Sequence, residues 1–197
     1  MCRPATIEKI DGRGNLQVKL DSGRSLTFAN QVFNDSIEWG RIVLNDMVGM
    51  AGRPFTVPGM DGSVIINLGI GNYFDDASKG VLADDQGQIP PGYYFIHELT
   101  HAWQIMNGSW QGYLCDEAII YKDALTDNSL LLQYTYGSPD GGWGDFSAEQ
   151  QAAIVADWFA GTWIFSRDHA RTDPRKPRDP SDPYFKFISG HIWVKVD

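Results

Sequence analysis

The sequence predicts an α+β fold, in which a small mixed sheet packs against one helix carrying a metal-ligand motif and a second helix carrying a further ligand. Three observations lead there. Short apolar runs of strand length recur in the first third of the chain; one long helical pattern contains His97-Glu98-Leu99-Thr100-His101; and Ser147 opens a second helical pattern with a capping signal. At 197 residues, with 43% hydrophobic content, the chain has the size and composition of a single compact domain, 1-197.

Taken in order, residues 1-24 alternate as a strand pair would, with Leu16, Val18 and Leu20 leading into the turn-forming Asp21-Ser22-Gly23-Arg24. Ser25 or Thr27 then starts a short helix through Phe33, and Trp39-Gly40-Arg41-Ile42-Val43-Leu44 returns to a strand. After the breakers Pro54 and Pro58, Asp61-Gly62 precedes Val64, Ile65, Ile66 and Leu68, a run that suits a buried or an edge strand. Gly69-Ile70-Gly71-Asn72 has no following Lys, which argues against a nucleotide loop. Asp75, Asp76, Asp84 and Asp85 lack the spacing and closing Glu of a calcium loop and read as a solvated acidic surface.

Pro90-Pro91-Gly92 interrupts the chain, and Tyr93 to Met106 then follows a helical apolar pattern that Gly108 stops, a helix of about sixteen residues. Apolar side chains cover most of its surface, as in a helix sunk in a core. At about 100° per residue, His97 and His101 lie about 40° apart, with Glu98 flanking His101. Two imidazoles can thus ligate zinc while Glu98 takes a proton from water beside it. Buried histidines need partners, and a metal provides them.

Catalytic zinc takes three protein ligands, and the best third candidate lies downstream. Ser147-Ala148-Glu149-Gln150 has the S-x-x-Q form of a capping box, so a helix runs from Ser147 through Phe159 with Glu149 in its first turn. Ala153, Ala156 and Ala160 follow the face of Glu149, a strip of small residues that permits close approach to another helix. Asp157, offset by about 80°, can reach the same region, either to bond the outer nitrogen of a ligand histidine or to replace Glu149 as third ligand. Between the helices, Tyr134 and Tyr136 offer a donor to a developing oxyanion, and alternation would point both to one face of a strand. Tyr136 is the residue singled out for that role.

Gly137 to Gly144, with Pro139, Asp140 and Trp143, reads as a mobile surface connection bordering the cleft. Pro174, Pro177, Pro180 and Pro183 make 171-183 an extended connector. Residues 184-197 are too apolar for a free tail and should pack back on the domain. His169 and His191 are minor candidates as transition-state donors.

The helix "FIHELTHAWQ", followed by "YTY", a Gly-rich stretch and "FSAEQQAAIVADWF", resembles the zincin-type domains of bacterial Vgr-related proteins, which are associated with type VI secretion and toxin delivery. Weaker similarity in "LTFANQVFNDSIEWGRIVL", "GRPFTVPGMDGSVIINL" and "PYFKFISGHIWV" extends it over about Leu26 to Val194. The resemblance implies a gluzincin-like peptidase fold, with His97 and His101 as ligands, Glu98 as base and Glu149 as third ligand. It also implies an edge strand beside the active helix that holds a peptide by β-addition, for which Val64 to Leu68 is the expected place. The chain departs from better-known gluzincins at Ala153, where those proteins carry an Asp one turn after the ligand Glu.

The expected activity is therefore zinc-dependent peptide hydrolysis, with a peptide or protein as substrate and, following the resemblance, a role as a secreted bacterial effector with a secretion-apparatus or immunity partner. Two alternatives stand beside it: a non-catalytic, zinc-stabilised adaptor or structural domain of a secretion system, and an amidase acting on peptidoglycan peptides. A net charge of −9 argues against binding nucleic acid or an anionic membrane surface, which want clustered Lys and Arg. Cys2 and Cys115 make no disulfide framework and fit a reducing compartment. No signal-peptide h-region follows Met1-Cys2-Arg3-Pro4, so the expected location is the cytoplasm, with export left to a specialised apparatus.

Overall fold

The structure, a computed structural model, describes residues 7–10, 16–19, 24–45, 54–68, 89–108, 133–167 and 175–194. It is α+β, with five strands in one mixed sheet of order β1-β2-β3-β5-β4. Strands β1 (Ile7–Ile10), β2 (Leu16–Lys19) and β3 (Ile42–Asn45) pair antiparallel in succession. β5 (Val64–Asn67) runs parallel to β3, and β4 (Phe55–Pro58) lies antiparallel outside it. Arg24, expected in a turn, is already the first residue of α1 (Arg24–Phe33). Trp39–Arg41, expected in a strand, forms a 3-10 turn in which the Trp39 indole N–H donates to the Asn34 carbonyl, and extended pairing begins only where Ile42 meets Val64.

Register decides which side chains reach the helices. Leu44, Ile66 and Thr56 are lateral neighbours across β3, β5 and β4, so they share one face, and all three are buried. Val43, Ile65 and Val57 form the next row, point the other way and are half-buried. A polar residue therefore sits in the apolar row beneath the helices, and its hydroxyl must find a partner there.

Helix α2 (Tyr93–Asn107) crosses this face over β4 and β5 and also packs against α1. Its residues Phe95 to Ile105 are all buried, which matches the all-round apolar pattern. Its most extensive contact is with α3 (Ala148–Ala160). The capping box forms as expected: the Gln150 N–H donates to Ser147 Oγ at 3.3 Å, and the Ser147 N–H to Gln150 Oε1 at 3.0 Å. Ala152, Ala153 and Ala156 are fully buried, so small side chains do line this approach, while Ala160 is half-buried.

At the other end of α3, Gly161 adopts a left-handed φ of 70°, and a Cβ there would lie 2.6 Å from the Pro177 nitrogen. The segment beyond is not the extended connector its prolines suggest. Arg178 donates its N–H to the Trp158 carbonyl, the Trp158 indole donates to the Asp179 carbonyl, and Arg175 pairs with Asp182, so residues 175–183 turn back over α3. Residues 171–174 lie outside the described residues. A helical turn at Phe185–Phe187 passes into a π-helical turn at Ile188–Ile192. Tyr184, Phe187, Ile188 and Ile192 enter the core, and the Trp193 indole donates to the Val32 carbonyl of α1. The Gly-rich stretch is likewise anchored: Trp143 is buried and its ring stacks on His191 and lies against Phe187.

Asp157, fully buried near the end of α3, holds these pieces together. Its carboxylate accepts from the hydroxyls of Tyr93, Tyr136 and Thr162 at 3.3, 2.6 and 2.6 Å, and from the backbone N–H of Ile164 and Phe165 at 3.1 and 3.2 Å. Burial, and then the Asp157 charge, push both tyrosine hydroxyls well above their usual range, which keeps them protonated as donors. Replacing Asp157 by Ala leaves two buried tyrosine hydroxyls and three half-buried donors without their acceptor. The expected loss of stability in urea unfolding is about 3–5 kcal/mol, and a loss below about 1 kcal/mol would refute the role given to this carboxylate.

Candidate metal centre

His97 and His101 project from the middle of α2, and Glu149 faces them from the first turn of α3. His97 Nε2 lies 2.9 Å from Glu149 Oε2 and 3.2 Å from His101 Nε2, and His101 Nε2 lies 3.4 Å from the same carboxylate oxygen. Ligands held about 2.0–2.1 Å from a tetrahedral ion are separated by about 3.3 Å, so the three atoms already have the spacing of a shared ion. All three residues are buried. Among the described residues they form a group of donor atoms, each within 4.8 Å of the others, that could hold a metal ion. Two neutral imidazoles with one carboxylate suit a divalent cation of intermediate softness.

The electrostatics follow from this crowding. Burial alone would raise the Glu149 carboxyl, but His101 and then His97, through charge and hydrogen bonding, outweigh it and hold the carboxyl well below its usual range. Glu98, one residue along α2 from His97, shifts the other way. Burial raises its carboxyl, the two imidazoles and a hydrogen bond from Thr56 lower it by less, and Glu149 adds to the rise. Thr56 is the polar residue in the apolar row of the sheet, and its hydroxyl donates to Glu98 Oε2 at 2.7 Å.

The outer nitrogens of the two imidazoles differ. His101 Nδ1 lies 2.8 Å from Gln104 Oε1, one helical turn away on α2. His97 Nδ1 is buried and has no hydrogen-bond partner. Asp157, expected to bond one of these nitrogens or to replace Glu149, does neither: its oxygens are taken by the five donors at the far end of α3. Eight residues of helix, about 12 Å along the axis, separate it from Glu149.

Tyr136 is also misplaced as an oxyanion donor. Its hydroxyl donates to Asp157, its side chain is fully buried, and its backbone forms an isolated parallel bridge with Ser166. Tyr134 instead sits with its ring 5.6 Å from that of His97. The two tyrosines diverge because no strand spans them, so the expected alternation does not apply. Nor is Val64 to Leu68 an edge: β5 lies between β3 and β4, which makes β4 the outer strand beside α2 among the described residues. His191 stacks on Trp143. Cys2, Cys115, His169, Asp75, Asp76, Asp84, Asp85 and Gly69 to Asn72 lie outside the described residues. No described helix is long and apolar enough to cross a membrane.

Two contributors went unrecognised in the sequence: Thr56 and Gln104. Gln104 carried a signal, since it stands three residues after His101 on a helix and so shares its face. Thr56 carried none, because it meets Glu98 through tertiary packing. Compared with protein-family models, curated proteins and solved structures, the chain matches none.

Because the folded Glu149 carboxyl is depressed, its contribution to stability is present above the ordinary glutamate value of about 4.3 and is lost as pH falls through the folded value. Metal-free protein should therefore lose stability in that acid window, and Glu149→Gln should flatten the loss. Equal slopes for the two proteins in urea unfolding across that window would refute the assignment.

Proposed function

We propose that this chain is a zinc-dependent metallopeptidase of zincin type, with His97, His101 and Glu149 as ligands and Glu98 as general base. The observation that carries the reading is the convergence of two buried imidazoles and a carboxylate from a different helix, with a second buried carboxylate beside them. A structural site needs no such extra base. Zinc bound there would acidify a water and polarise the carbonyl under attack.

The chain's own residues do the rest. Glu98 takes the proton from the attacking water and delivers it to the leaving amine, and its raised carboxyl brings its basicity closer to neutral pH. Thr56 holds that carboxylate through Oε2, which leaves Oε1 for the proton. Tyr134, against the His97 ring, replaces Tyr136 as the residue assigned to the developing oxyanion. A peptide substrate is the reading that the H-E-x-x-H helix and its resemblance support. The effector role and any secretion-apparatus or immunity partner rest on that resemblance alone.

Glu98→Gln is the decisive variant. It should retain stoichiometric zinc, measured by elemental analysis, while hydrolysis of a peptide pool falls by at least about 10²-fold, the usual scale for a general base. Muropeptides assayed beside proteins separate an amidase from a peptidase. If wild type binds zinc but cleaves neither class, the centre is structural; if wild type binds no zinc, the ligand assignment itself fails. Glu149→Ala should cost the metal, and retained stoichiometric zinc in that variant would remove Glu149 as third ligand.

A further inference from the structure

Two side-chain amides connect the metal centre to backbone carbonyls that can only accept. Gln151 Nε2 lies 3.0 Å from the Trp143 carbonyl and 3.2 Å from the Phe146 carbonyl. Its nitrogen must face them, so its Oε1 faces the other way, toward Gln104 Nε2 at 2.9 Å. Gln104 Nε2 also donates to the Ala148 carbonyl at 3.1 Å, which independently orients the same amide. Gln104 Oε1 is therefore the atom turned to His101 Nδ1. An amide oxygen cannot donate, so the 2.8 Å contact places the proton of a neutral His101 on Nδ1, against the longer 3.4 Å approach of its Nε2 to Glu149 Oε2.

We infer that Gln104 and Gln151 are positioning residues, an amide relay that presets His101 as the Nδ1–H tautomer with the lone pair of Nε2 turned into the metal centre. The inference deepens the metallopeptidase reading and rests on it for its use. Three carbonyls at the entry to α3, those of Trp143, Phe146 and Ala148, thereby choose the tautomer of a residue on α2. Because Glu149 follows Ala148 directly, the same bond that orients Gln104 also fixes the stretch of helix that brings the third ligand.

His97 has no such partner. Its Nδ1 is buried without a hydrogen bond, whereas its Nε2 lies 2.9 Å from the Glu149 carboxylate. In the metal-free protein a neutral His97 therefore keeps its proton on Nε2 and donates it to Glu149. His101 is ready to ligate, while His97 must first shift its proton from Nε2 to Nδ1.

Nitrogen-15 shifts of the imidazoles in metal-free protein at alkaline pH test this directly. Wild type should show His101 as Nδ1–H and His97 as Nε2–H. Gln104→Met, close in shape but without an acceptor, should convert His101 to a mixture of tautomers and weaken binding of zinc alone by about 10–100-fold. Gln104→Glu keeps an acceptor for His101 Nδ1 and should keep the Nδ1–H tautomer, while loss of the donor to Ala148 and Gln151 should set its zinc affinity between those of wild type and Gln104→Met. A role in packing alone would make the charged variant the worse of the two. Should Gln104→Met fail to fold, Gln151→Met loosens the second link and should shift the tautomer in the same direction by less.

Finding Nε2–H on His101 in wild type overturns the inference, as does a tautomer that neither Met variant that folds alters. Because the shifts are read without metal, failure of the metallopeptidase reading remains distinguishable: a wild type that binds no zinc but shows Nδ1–H on His101 refutes the enzyme and leaves the relay standing.

Discussion

Two carboxylates and two imidazoles are buried where α2 meets α3, and the rest of the described fold is arranged around making that burial tolerable. Ionised groups removed from water are costly unless paired and hydrogen-bonded. Here Glu149 lies between two imidazoles, and Glu98 accepts from Thr56. The apolar faces of the sheet and of α1 supply the low-dielectric surroundings that strengthen these pairings. Burial raises both carboxyls, but the two imidazoles outweigh it at Glu149 and not at Glu98, so one is held toward permanent charge and the other toward taking up a proton.

Close approach of the helices is the condition for this pairing, and both ends of α3 are tied to secure it. At its start, the Ser147 cap and the Gln104–Gln151 amides place Glu149 over the imidazoles. Toward its end, Asp157 gathers donors from α2, from the segment holding Tyr136 and from the chain that leaves the helix. Small side chains between these ends leave room for contact, and the absence of an acidic residue at Ala153 is part of that arrangement. The orienting bond to His101 comes instead from its own helix, through Gln104.

Parts of the architecture governed by local rules were readable without coordinates. The capping box at Ser147, the stop at Gly108 and the burial of α2 all follow from spacing along one helix, as does the convergence of His97 with His101. Where spacing implies contact only through an assumed local conformation, the structure departs from it. Alternation puts Tyr134 and Tyr136 on one face of a strand that does not form, and the prolines of 175–183 favour extension where hydrogen bonds to α3 impose turns. Glu149 shows the intermediate case: its helix position was legible, whereas its approach to the imidazoles needed the packing of two helices.

The sequence by itself determined the donor types, their spacing on each helix and the caps that bound those helices, because side-chain direction on a helix depends only on position along the chain. Tertiary structure decided which carboxylate faces the imidazoles, which of two nearby tyrosines borders them and which strand lies outermost. It also decided that a threonine on the sheet restrains Glu98 and that two glutamines orient His101. Those outcomes depend on strand register and on the distance between helices, quantities set by the sum of many contacts across the core and carried by no single stretch of residues.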